Sequence, residues 1–470
     1  MTTVVSGSLV QAASGLYAVD LNYATGVADR LEVSGTSALA GTVPLTTLNA
    51  GFITPGDHRP IIVSSLGGIT LAGLTLEAAP SAVVQRRLLS LDPTDLALDY
   101  SVDFAPAGLN PNRAAIGQYL NTVQAAGGSP SLAPVVAQLV AKPNTQALAA
   151  AYDHLSPEVY LGNETGAFFS NVHFNDVLQS CRVANGELRF AHEERCAWLT
   201  LGGGTLHQDQ TSTHFGFYRD AFDVDAGTQL ELSDSWIVGL GAQYEVDWLH
   251  AASFSTSSGR QGQGGVVVKW EHEDSIFSAS VSGGHARFDS TRQVGLPAAT
   301  AMATSEPELN LVSSHLRFSH TFVHDSWYLE PLIDAGPTYV HVPSFAEHGM
   351  TGAMLYVDSS SSTLWTAEPA VEIGGDSALS GGATLRYVAR VGLLHFFTGT
   401  SPVVSASIEG APEGTGEFAV DSRIDRNFGA VSLGLELLTR EAVAVKLDYD
   451  GEFARYAYSS GGSVRVAYRF

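Results

Sequence analysis

The chain is poor in what would build a membrane helix, a metal centre or a nucleic-acid surface. Of its 470 residues only 24 are Lys or Arg, against 48 Asp or Glu, which leaves a formal charge of −24. The deficit is uneven: residues 1–195 carry 9 basic and 16 acidic residues, and residues 196–470 carry 15 and 32. A surface so short of cations repels phosphate backbones and anionic headgroups, so nucleic-acid binding is set aside. No stretch approaches the run of about 20 apolar residues that a spanning helix needs. The best candidates, Val135 to Val140 and Val266 to Val268, soon meet charge. Met1-Thr2-Thr3-Val4 lacks the basic start and apolar core of a secretory signal. If the protein is exported, further sequence is expected ahead of Met1.

Cysteine is equally scarce. Cys181 and Cys196 are the only two, without the CxxC spacing of a zinc site. In an oxidising compartment they would close a disulfide, worth roughly 3 kcal/mol for a loop of about 15 residues on the loop-entropy model. Two unrelated buried thiols are the alternative. His207, His214, His285 and His395 show no metal-ligand spacing, and His58 stands alone in the turn-like Pro55-Gly56-Asp57-His58-Arg59-Pro60. No metal, cofactor or catalytic residue is expected.

What the chain does have is alternation. Its last residues place Val464, Val466, Tyr468 and Phe470 at every second position, with Arg465, Ala467 and Arg469 between them. Successive strand side chains point to opposite faces, so this is a strand with one apolar and one cationic face. It ends the chain without a cap, and a closed barrel would give it partners on both edges. The clearest strand is 236–248. Trp236, Val238, Leu240, Ala242, Tyr244, Val246 and Trp248 share one face, and Gly239, Gly241, Gln243, Glu245 and Asp247 the other. Its tryptophans are separated by about 40 Å of strand, or about 28 Å at a tilt of about 45°, the height of an apolar band between two aromatic girdles.

Twelve such segments fall between turn clusters, near 197–208, 215–231, 235–249, 261–273, 275–289, 307–323, 326–341, 363–375, 382–397, 425–438, 442–455 and 462–470. The expectation is an all-β chain: a 12-stranded antiparallel transmembrane barrel over 196–470. Glu245, Asp247, Arg386, Arg390, Lys446, Asp448 and Asp450 would face its lumen; 290–306, 341–362 and 398–424 would be variable loops, the last two rich in Gly, Ser and Pro and extracellular.

Ahead of the barrel, residues 1–128 read as short strands between Gly and Ser turns, suited to a β-solenoid or a sandwich. Residues 129–195 turn helical. Leu132 to Val140 and Asn144 to Leu155 carry Ala, Leu and Gln, and Ser156-Pro157-Glu158 starts a further helix towards Cys181. Gly162, Gly166 and Ser170 lie four apart on it, a stripe without bulk. Two helical glycines cost about 1 kcal/mol each relative to Ala. The thinness suits either passage through a confined bore or close packing against a neighbour.

This order of parts resembles a monomeric autotransporter of type V secretion. Asp29-Arg30-Leu31-Glu32-Val33-Ser34-Gly35 looks like the recurring rung before the barrel. Tyr100-Ser101-Val102-Asp103-Phe104 with Gly108-Leu109-Asn110-Pro111-Asn112 looks like the end of a passenger, and Leu155-Ser156-Pro157-Glu158-Val159-Tyr160 like the connector. Val464 to Phe470 looks like the signal read by the outer-membrane barrel-insertion machinery. The resemblance implies a monomeric translocator in the outer membrane of a Gram-negative bacterium, met by lipid, that machinery and periplasmic chaperones. It would deliver its own N-terminal passenger to the cell surface and keep the connector helix in the lumen. Some relatives cut the connector beside an Asn. Here it carries Asn171 and Asn175-Asp176 but no Asn-Asn pair, so self-cleavage is not expected.

Three other readings compete. Gly374-Gly375-Asp376-Ser377-Ala378-Leu379 loosely matches a Gly-Asp-Ser-Leu hydrolase motif, but lacks Leu directly after Ser and reads as a hairpin turn. A porin would be obstructed by the connector. A soluble adhesin would leave the aromatic girdles unexplained.

Overall fold

The computed structural model describes residues 1–179, 181, 190, 193, 195–252, 254–296, 301–350, 352–379, 382–439 and 442–470. Twelve antiparallel strands follow one another in chain order: β1 Cys196–Gln208, β2 Phe217–Ser233, β3 Trp236–Ala251, β4 Ser255–His272, β5 Ser275–Gln293 and β6 Glu308–His320. They continue as β7 Trp327–Val342, β8 Ser360–Ala378, β9 Thr384–Phe396, β10 Asn427–Leu438, β11 Val443–Phe453 and β12 Ala457–Arg469. Each pairs with the next, and β12 returns to β1 over the full strand, from Cys196 beside Arg469 to Gln208 beside Ala457. The sheet closes on itself, so no edge is left to satisfy in lipid.

Alternation sorts the side chains between the two surfaces. Leu240, Val281, Leu316, Ile333, Val391, Leu433 and Leu447 are exposed around the outside. One rim of this band carries Trp236, Trp270, Phe277 and Phe318, with neighbouring ring centroids 4.6–6.5 Å apart. The other carries Trp248, Tyr339 and Trp365, all half exposed. Trp198 departs from this arrangement: it faces inward, 5% exposed. Val464, Val466, Tyr468 and Phe470 are outward and about half exposed.

The two ends of the barrel differ. At the end holding Cys196 and Arg469, the connections between β2 and β3 and between β4 and β5 are tight turns. At the other end the connections after β5, β7 and β9 are long, and the segments read as variable loops carry short strands. They contain the strands Met302–Ser305, Phe345–Ala346, His348–Gly349, Leu355–Val357, Val403–Ile408 and Phe418–Asp421. Four of these form a small sheet of their own, which packs on the helices that precede the barrel. Alternating Val404, Ala406, Ile408, Phe418 and Val420 are buried there, which is why these segments are ordered.

Residues 1–102 coil. Thr2–Val5 lies parallel to Arg30–Val33, which lies parallel to Ile61–Ser65; Leu9–Gln11, Ser37–Leu39 and Ile69–Leu71 stack likewise, as do Val19–Asn22, Thr42–Leu48 and Thr75–Glu77. Two antiparallel strands, Val84–Ser90 and Asp95–Val102, follow. Gly56–His58 is a short strand rather than a turn, with His58 stacked on Tyr100 at 4.8 Å.

Strand chemistry then stops sooner than the sequence suggested. Pro111–Ala125 is a helix, α1, inside the stretch read as strands to residue 128. Its signals were present: Asn110 caps it by accepting from the Arg113 N–H, and Pro111 occupies the first turn. α2 Ala133–Val140 and α3 Thr145–Asp153 follow where expected. The helix α4 Glu158–Gln179 comes next. Coil, α1–α3 and barrel mouth share one apolar core.

Candidate functional site: the filled bore

α4 has no one-sided apolar stripe, because almost every side chain on it is buried. A helix buried on all faces must have a partner in every direction, and the barrel wall provides them. At 22 residues it is about 33 Å long, enough to run the height of the bore. Its first turn sits at the long-loop end, where the Phe215 N–H donates to Glu158 Oε2 (2.6 Å) and Asn112 Nδ2 donates to Glu158 Oε1 (2.9 Å). The Ser156 hydroxyl also donates to Glu158, at 3.3 Å. Its last turn lies at the short-turn end, where Lys269 Nζ donates to the Gln179 carbonyl (2.6 Å).

Between these ends the helix is held by polar contacts. Ser362 donates to Glu164 (2.5 Å), Asn171 donates to Gln263 (2.9 Å) and Ser282 (3.1 Å), and Asn175 donates to Ser313 (3.1 Å). Asp176 accepts from Arg317 and from Arg390 (3.1 Å). Such bonds add about 0.5–1.5 kcal/mol each, and losing one partner strands the other without water. The two ends are closed differently. Near the mouth Tyr160 donates to Glu347 (2.7 Å), which also binds the buried Arg292. At the foot Val177, Cys181, Cys196, Trp198, Leu438, Ala444 and Ala467 form a separate cluster.

The residues singled out from the sequence fall as follows. Gly162, Gly166 and Ser170 face β2, β3 and β4. A Cβ on Gly166 would stand 2.6 Å from Arg219 Cδ and Nε, and one on Gly162 would stand 3.0 Å from Leu249 Cδ1. Ser170 donates to Gln243 (3.2 Å). The stripe is therefore both inside a bore and packed against strands. Glu245 and Asp247 point inward and clasp Arg219. Arg386 points inward to Asp376 (3.0 Å) and Glu436 (3.7 Å), and Arg390 to Asp176 and Glu368 (3.3 Å). Lys446 pairs with Asp448 at 2.7 Å. Asp448 and Asp450 line a cavity of ≈ 160 Å³ left between α4 and the wall from β4 to β12. Cys181 and Cys196 are joined by a disulfide, Cα–Cα 6.7 Å.

One expectation is corrected. Gly374 to Ala378 is the end of strand β8, not a turn, and its Asp376 is taken by Arg386. Sequence reasoning also missed Arg219, Arg292, Arg317 and His173. Each owes its place to a partner far away in the chain, which no local spacing displays.

A closed barrel with an aliphatic belt, two aromatic rims and a helix through its lumen defines an outer-membrane protein of the translocator class. Residues 197–450 match the family model of the autotransporter β-domain. The chain belongs to that family, whose barrels deliver a passenger across the outer membrane of Gram-negative bacteria to the cell surface, and this is its function. Among solved structures it is similar to the translocator domain of autotransporter NalP from Neisseria meningitidis, with 13% identity, a TM-score of 0.52, and coverage of 67% of this chain and 100% of that one. Similarity extends to the β-domain of the Bordetella autotransporter BrkA (12% identity, TM-score 0.44, 59% and 100% covered). The transport unit of AIDA-I from Escherichia coli gives 11% identity, a TM-score of 0.41, and coverage of 65% and 98%. No curated protein matches the chain. The family's barrels act in transport rather than catalysis.

Proposed function

We propose that this arrangement is the state reached after passenger transfer. Residues 1–128 are the end of the passenger, 129–195 the connector, and 196–470 the translocator. The observation that carries this reading is the course of α4: it descends the lumen from the long-loop end to the short-turn end, with the coil and α1–α3 gathered at the long loops. Short turns belong to the periplasmic side of such barrels and long loops to the outside. The chain ahead of α4 thus lies outside the cell, and the mouth strands with α1 close the pore behind it. The disulfide fastens the foot of the helix to β1.

The test is protease treatment of intact cells expressing the full chain with an epitope in the exposed Gly73 turn. The epitope should be lost from whole cells while the barrel resists. An epitope protected until the outer membrane is permeabilised would refute the proposed direction.

Two finer assignments go with this reading. The alternating face of Val464, Val466 and Tyr468 on β12, with Phe470 just after it, is the part shown to the insertion machinery after periplasmic chaperones release the chain. Phe470→Ser should lower insertion in cells without altering the barrel refolded in detergent; undiminished insertion would remove this role. The chain is not an enzyme and does not cut its own connector. Asp376 is engaged by Arg386, and the side-chain amides of Asn171 and Asn175 are engaged by the wall.

A further inference from the structure

Two lumenal carboxylates stand apart from the ion pairs of the wall. Asp223 and Asp225 lie two residues apart on β2 and so face the bore together, and His173 approaches them from α4. One ligating atom from each of the three lies within 4.8 Å of the other two. Asp225 is fully buried and Asp223 is 6% exposed. Neither oxygen of Asp225, nor Oδ2 of Asp223, receives a hydrogen bond. Among the described residues no Arg or Lys forms an ion pair with either carboxylate, and the His173 imidazole is the basic group beside them. Arg219, four residues away on the same strand, is already held by Glu245 and Asp247.

Two ionised carboxylates packed together out of water are strongly disfavoured unless a cation or a proton neutralises them. The wall is shaped to keep them there: a Cβ on Gly202, the β1 neighbour of Asp223, would collide with the Asp223 carboxylate. A way in exists as well. His173 and Asp223 open onto a gap of ≈ 90 Å³ that also holds Asp450 and Glu452, room for several water molecules. These two further acids raise the negative potential through which a cation would enter.

We propose that His173, Asp223 and Asp225 bind a divalent transition-metal cation of the Zn²⁺ or Mn²⁺ class, which ties the connector helix to β2. One imidazole nitrogen with two carboxylate oxygens suits such ions better than Ca²⁺ or Mg²⁺, which favour oxygen-only shells. With metal–ligand bonds of about 2.0–2.2 Å, two ligands of one ion stand at most about 4.4 Å apart. Small side-chain rotations therefore complete the site, and water fills the remaining positions. The ion would cross-link α4 to β2, which otherwise meet by packing of Gly162 on Phe217 and Gly166 on Arg219.

The experiment uses the full chain refolded in detergent and stripped with a chelator. Zn²⁺ and Mn²⁺ are titrated by equilibrium dialysis with metal analysis, and Ca²⁺ and Mg²⁺ serve as comparators. Folding is checked by the shift between boiled and unboiled samples on a gel. The expected result is one equivalent of Zn²⁺ or Mn²⁺ per chain, a higher temperature for loss of the folded band, and at least tenfold weaker binding in H173A and D225N. Substoichiometric binding to the folded wild-type chain, or binding unchanged in both folded variants, would overturn the proposal. Should the variants not fold, modification of the wild-type chain with diethyl pyrocarbonate, mapped by mass spectrometry, decides: metal should protect His173, and unprotected modification of His173 refutes the site.

Discussion

The substitution Asp176→Asn tests whether charge holds the helix in the bore. Asp176 is the residue of α4 that binds two wall arginines, Arg317 and Arg390. Removing one member of a fully buried ion pair costs about 3–5 kcal/mol. Here the cost is smaller. The Asp176 side chain keeps 31% of its exposure to the lumenal cavity, Arg317 keeps Asp334 at 3.0 Å, and Arg390 keeps Glu368 at 3.3 Å. About 1–2 kcal/mol of helix docking should be lost, a shift of about 5–30-fold in the ratio of docked to released helix. Single-channel recording in planar bilayers reads that ratio directly. The wild-type channel should be mostly closed, and D176N should raise the open probability by that factor. D448N is the control, since Asp448 pairs with Lys446 on its own strand and does not touch the helix. An open probability for D176N within twofold of wild type, or a rise equal to that of D448N, would refute the argument.

Two other outcomes are expected. Alanine at Gly166 gains about 1 kcal/mol of helix propensity, but its Cβ meets Arg219 at 2.6 Å, and Arg219 is fixed by Glu245 and Asp247. G166A should therefore destabilise the folded barrel by about 1 kcal/mol net, while G162A, facing the tip of Leu249, should be near neutral; urea titration of the gel shift measures both, and a stabilised G166A would contradict the packing. In the coil, hydrogen bonds from Arg59 (2.9 Å) and Arg87 (2.7 Å) hold the Asp99 carboxyl below the usual carboxylate range. A depressed folded-state pKa stabilises above the unfolded value of about 3.9 and ceases to do so as pH falls through the folded value. Pepsin should therefore begin to cut residues 1–102 below about pH 4 while the barrel resists, and D99N should lack this transition; an identical transition in D99N would refute it.

Most of the barrel was legible in the residues themselves. Alternation of period two fixes which face of each strand meets lipid, and turn clusters fix where strands reverse. All twelve strands and the inward direction of Glu245, Asp247, Arg386 and Arg390 follow from that local rule. Pro143 and Ser156-Pro157 likewise marked the breaks between α2, α3 and α4. The misses have two physical causes. Around α1 the neighbouring strand chemistry outweighs the signal of its Asn-Pro cap. The mouth strands read as variable loops because their apolar residues have no partner until α1 and α4 arrive.

What only the tertiary structure decided is which inward groups meet. Asp176 and Arg390 lie 214 residues apart, and Asn112 and Asp421 lie 309 apart. Closure of β12 on β1 and passage of α4 through the ring bring them together, and no periodicity encodes either event. The sequence determined a wall and a helix thin enough to stand beside it. The closed fold determined that the helix fills the bore, which charges are neutralised there, and which, at His173, Asp223 and Asp225, are left facing one another.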